Sequence, residues 1–332
     1  MWFHMRPRCS ESEAEDLAAC RALLRGGSRS FSLASGLLPR HVRDPAVALY
    51  AFCRLADDAI DRDKGGTAAL AWLRERLERA YAGRPLPIPA DRALARVVAR
   101  FAIPFALPHA LLEGLAWDAE ARRYETLDEL TAYAIRVAGA VGEMMALVMG
   151  VRAPETLARA CDLGVAMQFS NIARDLGEDA REGRLYLPLR WLREAGIDPD
   201  AWLAAPVFDA AVAAVVRRLL AEAETLYARA DVGIAALPLS CRMGIRAARL
   251  LYAEIGAEVA RRGHDSVTGR AVVPLPRKLV VLARGLLPPQ AAPARGRPRE
   301  RSRRPVLEIR AAFVIELFQR LAEREQFGAT EL

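Results

Sequence analysis

Two short acidic clusters are the residues of this chain best placed to do chemistry. Asp57 and Asp61 are four positions apart, and Asn171, Asp175 and Asp179 repeat that spacing. On a helix each set projects from one face. Like charges at this spacing repel by about 0.2–0.5 kcal/mol per pair in an isolated helix, so bound cations would offset a real cost. Oxygen-only ligands suit Mg²⁺, which takes one or two carboxylates and completes its shell with water and phosphate oxygens.

Other polar side chains extend both acidic stripes. Tyr50 and Arg54 lie seven and three positions before Asp57, and Gln168 lies three before Asn171, which is helical spacing. The alternative interpretation is a solvated acidic helix end. The run before Asp57 is nearly all apolar, however, and charges beside such a run are rarely free surface. Both clusters together, with Arg and Tyr in register, favour a functional site.

The chemistry that fits such a site is the departure of a diphosphate group. Mg²⁺ held between carboxylates and diphosphate oxygens would neutralise the leaving charge, and Arg and Tyr side chains would bind the remaining oxygens. The organic remainder would be a cation, which needs apolar walls and little water. We find no Gly-rich dinucleotide fingerprint, so no nicotinamide cofactor is expected.

Helical signals run along most of the chain and place the two stripes on two helices. The 332 residues are 53% hydrophobic and rich in Ala, Leu and Arg, with few alternating β-branched runs, which favours an all-α protein. Asp44 and Pro45 mark the start of a helix over residues 46–61, and Gly65 and Gly66 follow its end. The other predicted helices cover residues 12–24, 68–82, 91–101, 108–122, 127–150, 154–178, 188–195, 199–204, 208–235 and 240–262.

The net charge of +7 does not indicate nucleic-acid binding, because one segment carries most of it. Residues 295–304 contain six Arg and one Glu and contribute +5 alone, so we expect no nucleic-acid partner. Five scattered cysteines show no paired spacing for zinc or redox chemistry and are expected to be reduced thiols of a cytoplasmic protein: Cys9, Cys20, Cys53, Cys161 and Cys241.

The two ends of the chain differ from its middle. Residues 1–11 lack the apolar core of a signal peptide and are expected to be flexible. Residues 12–287 form the predicted catalytic domain. Residues 288–305 are rich in Pro, Arg and Ala, typical of a linker, and residues 306–332 carry an amphipathic helix pattern. No run reaches about 18 uncharged apolar residues, so no membrane-spanning helix is expected.

The motifs together resemble those of the squalene/phytoene synthase family. The strings at residues 50–61 and 168–179 are similar to the two signatures of that family, and residues 185–188 resemble the loop after the second one. The similarity spans about residues 20–286. Further matching positions are Arg123 with Tyr124, Tyr133 with residues 137–142, Tyr252, and residues 263–274. Within the family the chain is most similar to bacterial members that make phytoene. It departs from some relatives at Gly27, where they have His.

The resemblance implies a single-domain isoprenoid-synthase helical bundle with a central cavity. It implies an Mg²⁺-dependent prenyltransferase, with Mn²⁺ as the alternative metal, that condenses two geranylgeranyl diphosphates head to head. The reaction would pass through a cyclopropyl diphosphate and give phytoene for carotenoid synthesis. Two alternatives remain: an enzyme that makes squalene or dehydrosqualene from farnesyl diphosphate, and a non-catalytic helical assembly factor.

The resemblance also assigns roles to residues. The catalytic positions it implies are Asp57, Asp61, Asp175, Tyr252 and Ser30. The substrate-binding positions are Arg29, Phe31, Tyr50, Arg54, Tyr133, Gln168, Arg174 and Arg270. The metal-binding positions are Asp57, Asp58, Asp61, Asn171, Asp175 and Asp179. A capping role for Ser30 and core roles for Tyr133 and Tyr252 are the competing interpretations.

A hydrocarbon product must leave into a membrane, so the expected location is the cytoplasm with peripheral contact at the inner face of the membrane. The Arg-rich tail fits either a solvated extension or a tether to anionic lipid. Residues 277–284 fit either a membrane surface or core packing. Besides the isoprenoid diphosphates, other carotenoid enzymes are expected partners.

Overall fold

The computed structural model describes residues 11–27, 29–62 and 67–286, and it describes only the backbone at residues 11, 29–31, 61–62, 67 and 285–286. Three predicted segments therefore lie outside the described residues: the flexible start, of which only residue 11 is described, the Pro/Arg-rich linker at 288–305 and the tail at 306–332. The described chain is all helical, as predicted. Its elements are α1 Glu11–Gly27, α2 Arg29–Ser35, α3 Arg40–Arg62, α4 Thr67–Tyr81, α5 Pro89–Phe101, α6 Ala106–Ala119, α7 Leu127–Ala134, a π-helical turn Ile135–Gly139, α8 Ala140–Val148, α9 Pro154–Arg181, α10 Leu189–Glu194, α11 Pro199–Ala204, α12 Ala210–Ala236, α13 Leu239–Arg261 and α14 Leu275–Leu286.

Two of these helices, α3 and α9, carry the predicted acidic stripes to the same end of the bundle. Asp57 and Asp175, near the C-terminal ends of α3 and α9, line one cavity. Ala46 and Thr156, near the N-terminal ends of the same helices, line a second cavity. The two helices therefore run in the same direction, with α8, α12 and α13 completing the wall of the second cavity.

The start of α3 differs from the prediction. The helix begins at Arg40 rather than at Asp44, and the carbonyl oxygen of Pro39 accepts bonds from the backbone N–H groups of Val42 and Arg43. Pro45 thus lies inside the helix. Since proline has no N–H group, Pro45 cannot donate to the carbonyl oxygen of His41 four positions earlier, so the helix lacks one backbone hydrogen bond there.

The predicted helix at residues 127–150 contains a π-helical turn. Ile135–Gly139 joins α7 to α8, and Val137 in this turn lines both cavities. A Cβ atom at Gly164 of α9 would overlap the carbonyl oxygen of Ala138, so glycine lets α9 approach the turn. Single π turns inside α-helices occur frequently at functional sites. Leu127–Val148 is long and apolar enough to cross a membrane, but most of it is buried inside the bundle, which is expected of a core helix.

A buried carboxyl group in α8 makes the stability of the fold depend on pH. Glu143 is buried, one of its carboxylate oxygens has no hydrogen-bond partner, and burial raises its pKa from 4.5 to about 8. The folded state therefore holds a proton that the unfolded state releases above about pH 4.5. This contribution to stability is complete below that pH and is lost as pH rises through about 8.

Glu143→Gln should flatten this pH dependence. Between about pH 6 and pH 8 the wild-type free energy of unfolding should fall by about 2 kcal/mol more than that of the variant, because one proton corresponds to about 1.4 kcal/mol per pH unit. Urea unfolding at both pH values measures the difference. Glu120→Gln, which changes an exposed carboxyl group, should keep the wild-type slope. Equal slopes for wild type and Glu143→Gln would contradict a buried protonated carboxyl group.

Candidate active site

Two connected cavities lie at the centre of the bundle. The polar cavity, of about 630 Å³, is bordered by the acidic ends of α3 and α9. The apolar cavity, of about 280 Å³, extends from it between α3, α8, α9, α12 and α13. Six residues line both cavities and mark where they join: Tyr50, Cys53, Val137, Gln168, Asn171 and Tyr252.

The structure brings most of the predicted site residues to the polar cavity, although they come from separate helices and one loop. Its lining includes ten of them: Tyr50, Arg54, Asp57, Tyr133, Gln168, Asn171, Arg174, Asp175, Tyr252 and Arg270. The side chains of four others lie outside the described part: Arg29, Ser30, Phe31 and Asp61. Asp58 and Asp179 do not line the polar cavity.

Asp58 lies on a different side of α3. Its carboxylate forms an ion pair with Arg54 at 2.7 Å, and the residue borders a third cavity between α1, α3 and α5. The adjacent position on a helix is rotated by about 100°, which explains why Asp57 and Asp58 point to different cavities. Asp57 and Asp58 therefore both contact Arg54, from different sides of the helix, and the predicted metal-binding role of Asp58 stays a prediction.

Arginine side chains neutralise the carboxylates of the polar cavity. Arg54 lies 3.4 Å from Asp57. Asp175 is paired with Arg174 at 2.6 Å and with Arg270 at 2.9 Å. Arg270 also contacts Glu178 at 3.1 Å. The cavity therefore alternates cationic and anionic groups, which is the surface that a metal-bound diphosphate requires.

Asp179 lies near the C-terminal end of α9, in surroundings that disfavour its ionised form. Burial, together with the nearby charge of Asp175, raises the pKa of Asp179 to about 8. A divalent cation beside these carboxylates would favour the ionised form of Asp179.

The donor set fits Mg²⁺. Within the described side chains, no three acidic, His or Cys groups converge closely enough to hold a metal ion. Mg²⁺ ordinarily binds through one or two carboxylates together with substrate phosphates and water. Asp57, Asn171 and Asp175 supply oxygen donors to one cavity, as that mode requires.

Sequence reasoning missed two charged residues of the polar cavity, Asp118 and Lys278. The Asp118 carboxylate accepts hydrogen bonds from the hydroxyl groups of Tyr133 at 2.9 Å and Tyr186 at 2.8 Å. Burial raises the pKa of Asp118 to about 6. The ring of Tyr133 also stacks on that of Tyr186, with centroids 5.3 Å apart. Asp118 thus fixes Tyr133, which lines the cavity, and Tyr186, which stacks on Tyr133. Its only sequence signal was a carboxylate near the end of a mainly apolar helix.

Residues 263–273 close one side of the polar cavity by packing directly on α9. The hydroxyl of Ser266 donates to the carbonyl oxygen of Ala173 at 2.5 Å, and the N–H of Gly177 donates to the carbonyl oxygen of Ser266 at 3.0 Å. A Cβ atom at Gly177 would overlap the carbonyl oxygen of Val267. Glycine at this position therefore permits the contact that places Arg270 beside Asp175.

Comparison with known proteins identifies the family. The family model described as squalene/phytoene synthase matches residues 24–278. The chain is 55% identical over 273 residues to a phytoene synthase of Rhodobacter capsulatus, covering 81% of this chain and 80% of the relative. It is 52% identical over 277 residues to a phytoene synthase of Cereibacter sphaeroides, covering 80% and 78%. A crystal structure of a dehydrosqualene synthase in complex with ligand aligns with a TM-score of 0.77 at 31% identity, covering 83% of this chain and 96% of that one. The chain belongs to the squalene/phytoene synthase family.

Proposed function

We propose that the chain is a phytoene synthase, a prenyltransferase of the 15-cis-phytoene synthase type. It condenses two geranylgeranyl diphosphates through a cyclopropyl diphosphate to phytoene and releases diphosphate. The observation that carries this proposal is the junction of a charged cavity with an apolar one, since each substrate has a charged head and an apolar chain. The identity of 55% to a named phytoene synthase supports this substrate choice over farnesyl diphosphate.

The polar cavity binds the diphosphate groups. Arg54, Arg174, Arg270 and Lys278 line it and supply cationic donors for phosphate oxygens. Asp57, Asn171 and Asp175 would hold Mg²⁺ there, with Asp61 and Asp179 as further proposed ligands, and Mn²⁺ is the alternative metal. Bound Mg²⁺ neutralises the charge that develops on the departing diphosphate.

The apolar cavity holds the prenyl chains and keeps water from the cationic carbons. Along α9 it extends from Asn171 to Thr156, which is roughly 22 Å at 1.5 Å per residue. Tyr50 and Tyr252 lie at the junction, where the carbon next to a departing diphosphate would be located. Their rings can face that carbon, because the negative face of an aromatic ring attracts a cation. Arg29, Ser30 and Phe31 are proposed to complete the substrate contacts.

The proposed catalytic unit is residues 12–287, and the described residues of this range line both cavities. We infer a cytoplasmic enzyme with peripheral contact at the inner face of the membrane, because phytoene has no polar group and cannot accumulate in water. Enzymes that consume phytoene in carotenoid synthesis are proposed partners for the same reason.

Product analysis tests this function. Purified protein should convert geranylgeranyl diphosphate to phytoene with Mg²⁺ and detergent, without any nicotinamide, and chelation by EDTA should stop turnover. Parallel reactions contain farnesyl diphosphate, or Mn²⁺ in place of Mg²⁺. Dehydrosqualene or squalene from farnesyl diphosphate, with no product from the longer substrate, would assign the chain to the alternative activity. A protein inert on both substrates would favour the assembly-factor interpretation.

A further inference from the structure

Exposed apolar side chains concentrate near one end of the described chain. Of nine large hydrophobic residues exposed in the described part, seven lie between residues 232 and 280. Three of them lie on α14: Leu275 is 61% exposed, Leu279 53% and Val280 46%. Residues four positions apart share a helix face, so Leu275 and Leu279 form one stripe with Val280 beside it. We call these three residues the outer side of α14.

The opposite side of α14 is packed on the bundle. Val281 is buried in a cluster with Ala247 and Ala248 of α13. Arg277 pairs with Glu254 of α13 at 2.8 Å. Residue 277 therefore lies near residue 254 and residue 281 near residue 248, so α14 runs antiparallel to α13. The amphipathic pattern at 277–284 thus combines core packing on one side with an apolar exposed side.

Basic residues outnumber acidic ones in this region. α14 contains three basic residues, Arg277, Lys278 and Arg284, and no acidic residue, and Arg277 pairs with Glu254. The first part of α13 adds Arg242 and Arg246, while its Arg249 pairs with Asp231 of α12 at 3.0 Å. A short helix with basic residues and an exposed apolar stripe is the pattern of a helix that lies in the interface of an anionic bilayer.

The position of α14 connects this surface with the active site. Lys278 lines the polar cavity, and Ala248, which packs against Val281, lines the apolar cavity. Among the described residues, Val281 of α14 and Ala248 of α13 thus lie between the outer side of α14 and the space proposed for the prenyl chains. The substrate and product assigned by the proposed function both partition into lipid, so this inference rests on that function.

We propose that α14 is an interfacial helix that seats the enzyme on an anionic bilayer. Leu275, Leu279 and Val280 insert among the lipid headgroups, and Arg284 contacts the anionic lipid. Bound in this way, the polar cavity faces the bilayer from which substrate enters and into which the hydrocarbon leaves. Turnover should therefore rise when anionic vesicles replace detergent.

Vesicle flotation with the full chain tests the proposal. Wild type should float with vesicles of phosphatidylcholine and phosphatidylglycerol, and far less with phosphatidylcholine alone. The double variant Leu275→Glu/Leu279→Glu should bind at least about tenfold more weakly, because it removes two inserted side chains and adds two negative charges. Val207→Glu is the matched control: Val207 is 63% exposed and lies outside residues 232–280, so its substitution should leave binding unchanged.

Turnover in detergent separates this proposal from the proposed function. The double variant should make phytoene at the wild-type rate in detergent and lose only the stimulation by vesicles. If wild type made no phytoene in detergent, the proposed function would fail, whereas the flotation result would still test whether α14 binds the bilayer.

The interfacial helix is refuted if wild type does not bind anionic vesicles. It is also refuted if the double variant, which keeps the Arg-rich tail, floats like wild type, since the tail would then be the tether. A monodisperse dimer that the double variant converts to a monomer, without vesicle binding, would assign the surface to a second copy.

Discussion

Asp57→Asn and Asp175→Asn should each lower kcat for phytoene formation by about a thousandfold. Each substitution removes a charged oxygen donor from the polar cavity while keeping the size of the side chain. Neutralisation of a leaving group by a metal ion provides several kcal/mol of transition-state stabilisation, and each 1.4 kcal/mol corresponds to a factor of ten. Product formation over a range of Mg²⁺ concentrations measures the effect.

The two variants should not be additive. Both carboxylates serve one metal and diphosphate cluster, so the kcat of the double variant should be about that of the less active single variant. Independent effects that multiply would indicate two separate roles. A double variant with wild-type activity would contradict the metal-binding role proposed for both carboxylates.

Stability measurements show whether the loss is chemical. The side chain of Asp57 is 48% exposed, so its pairing with Arg54 contributes at most about 1 kcal/mol to folding. Helical content by circular dichroism should therefore match wild type. Glu155→Gln is the matched control, because Glu155 is an exposed carboxylate at the opposite end of α9. It should retain full activity.

Local periodicity was sufficient to predict which residues of one helix share the site. Tyr50, Arg54 and Asp57 follow helical spacing and line the polar cavity together, as do Gln168 and Asn171. Which residues share one side of a helix depends only on the fixed rotation of about 100° per residue, so it can be predicted from spacing alone. The same rule applied to Asp58 would have placed it on another side of α3, where the structure has it.

Contacts between distant helices could not be predicted in this way. Asp118 meets Tyr186 across 68 positions of sequence, and no local pattern records that encounter. The π-helical turn at Ile135–Gly139 likewise depends on how closely α9 approaches it through Gly164. The start of α3 at Arg40 was missed because proline is common in the first turn of a helix, whereas α3 contains Pro45 in its second turn.

Gly177→Ala should lower kcat/KM by about 10- to 100-fold although residue 177 contacts no substrate. The added Cβ would overlap the carbonyl oxygen of Val267 and lie 2.8 Å from that of Ser266, so the backbone of residues 263–273 must move. That segment carries Arg270, whose guanidinium group pairs with Asp175. A displacement of about 1 Å in a positioning group can cost a factor of 10² in rate.

A matched glycine elsewhere separates this effect from a general change in helix stability. A Cβ at Gly26 of α1 would meet no atom within 4 Å. Gly26→Ala should therefore keep wild-type kinetics and gain up to about 1 kcal/mol of stability from the better helix former. In Gly177→Ala the higher helix propensity of alanine is offset by the steric conflict with residues 266 and 267, so its melting temperature should not exceed that of wild type.

A double-mutant cycle identifies Arg270 as the group through which Gly177 acts. Arg270→Gln alone should reduce kcat/KM to about the level of Gly177→Ala, because both remove the same cation from the diphosphate position. Combining them should then cost little beyond either single change. If the two losses multiplied instead, the glycine would affect the site through another part of α9, such as the orientation of Asp175. If the two single variants and the double variant all lost the same factor in kcat/KM, glycine at position 177 would be what lets the 263–273 segment bring Arg270 to the diphosphate site.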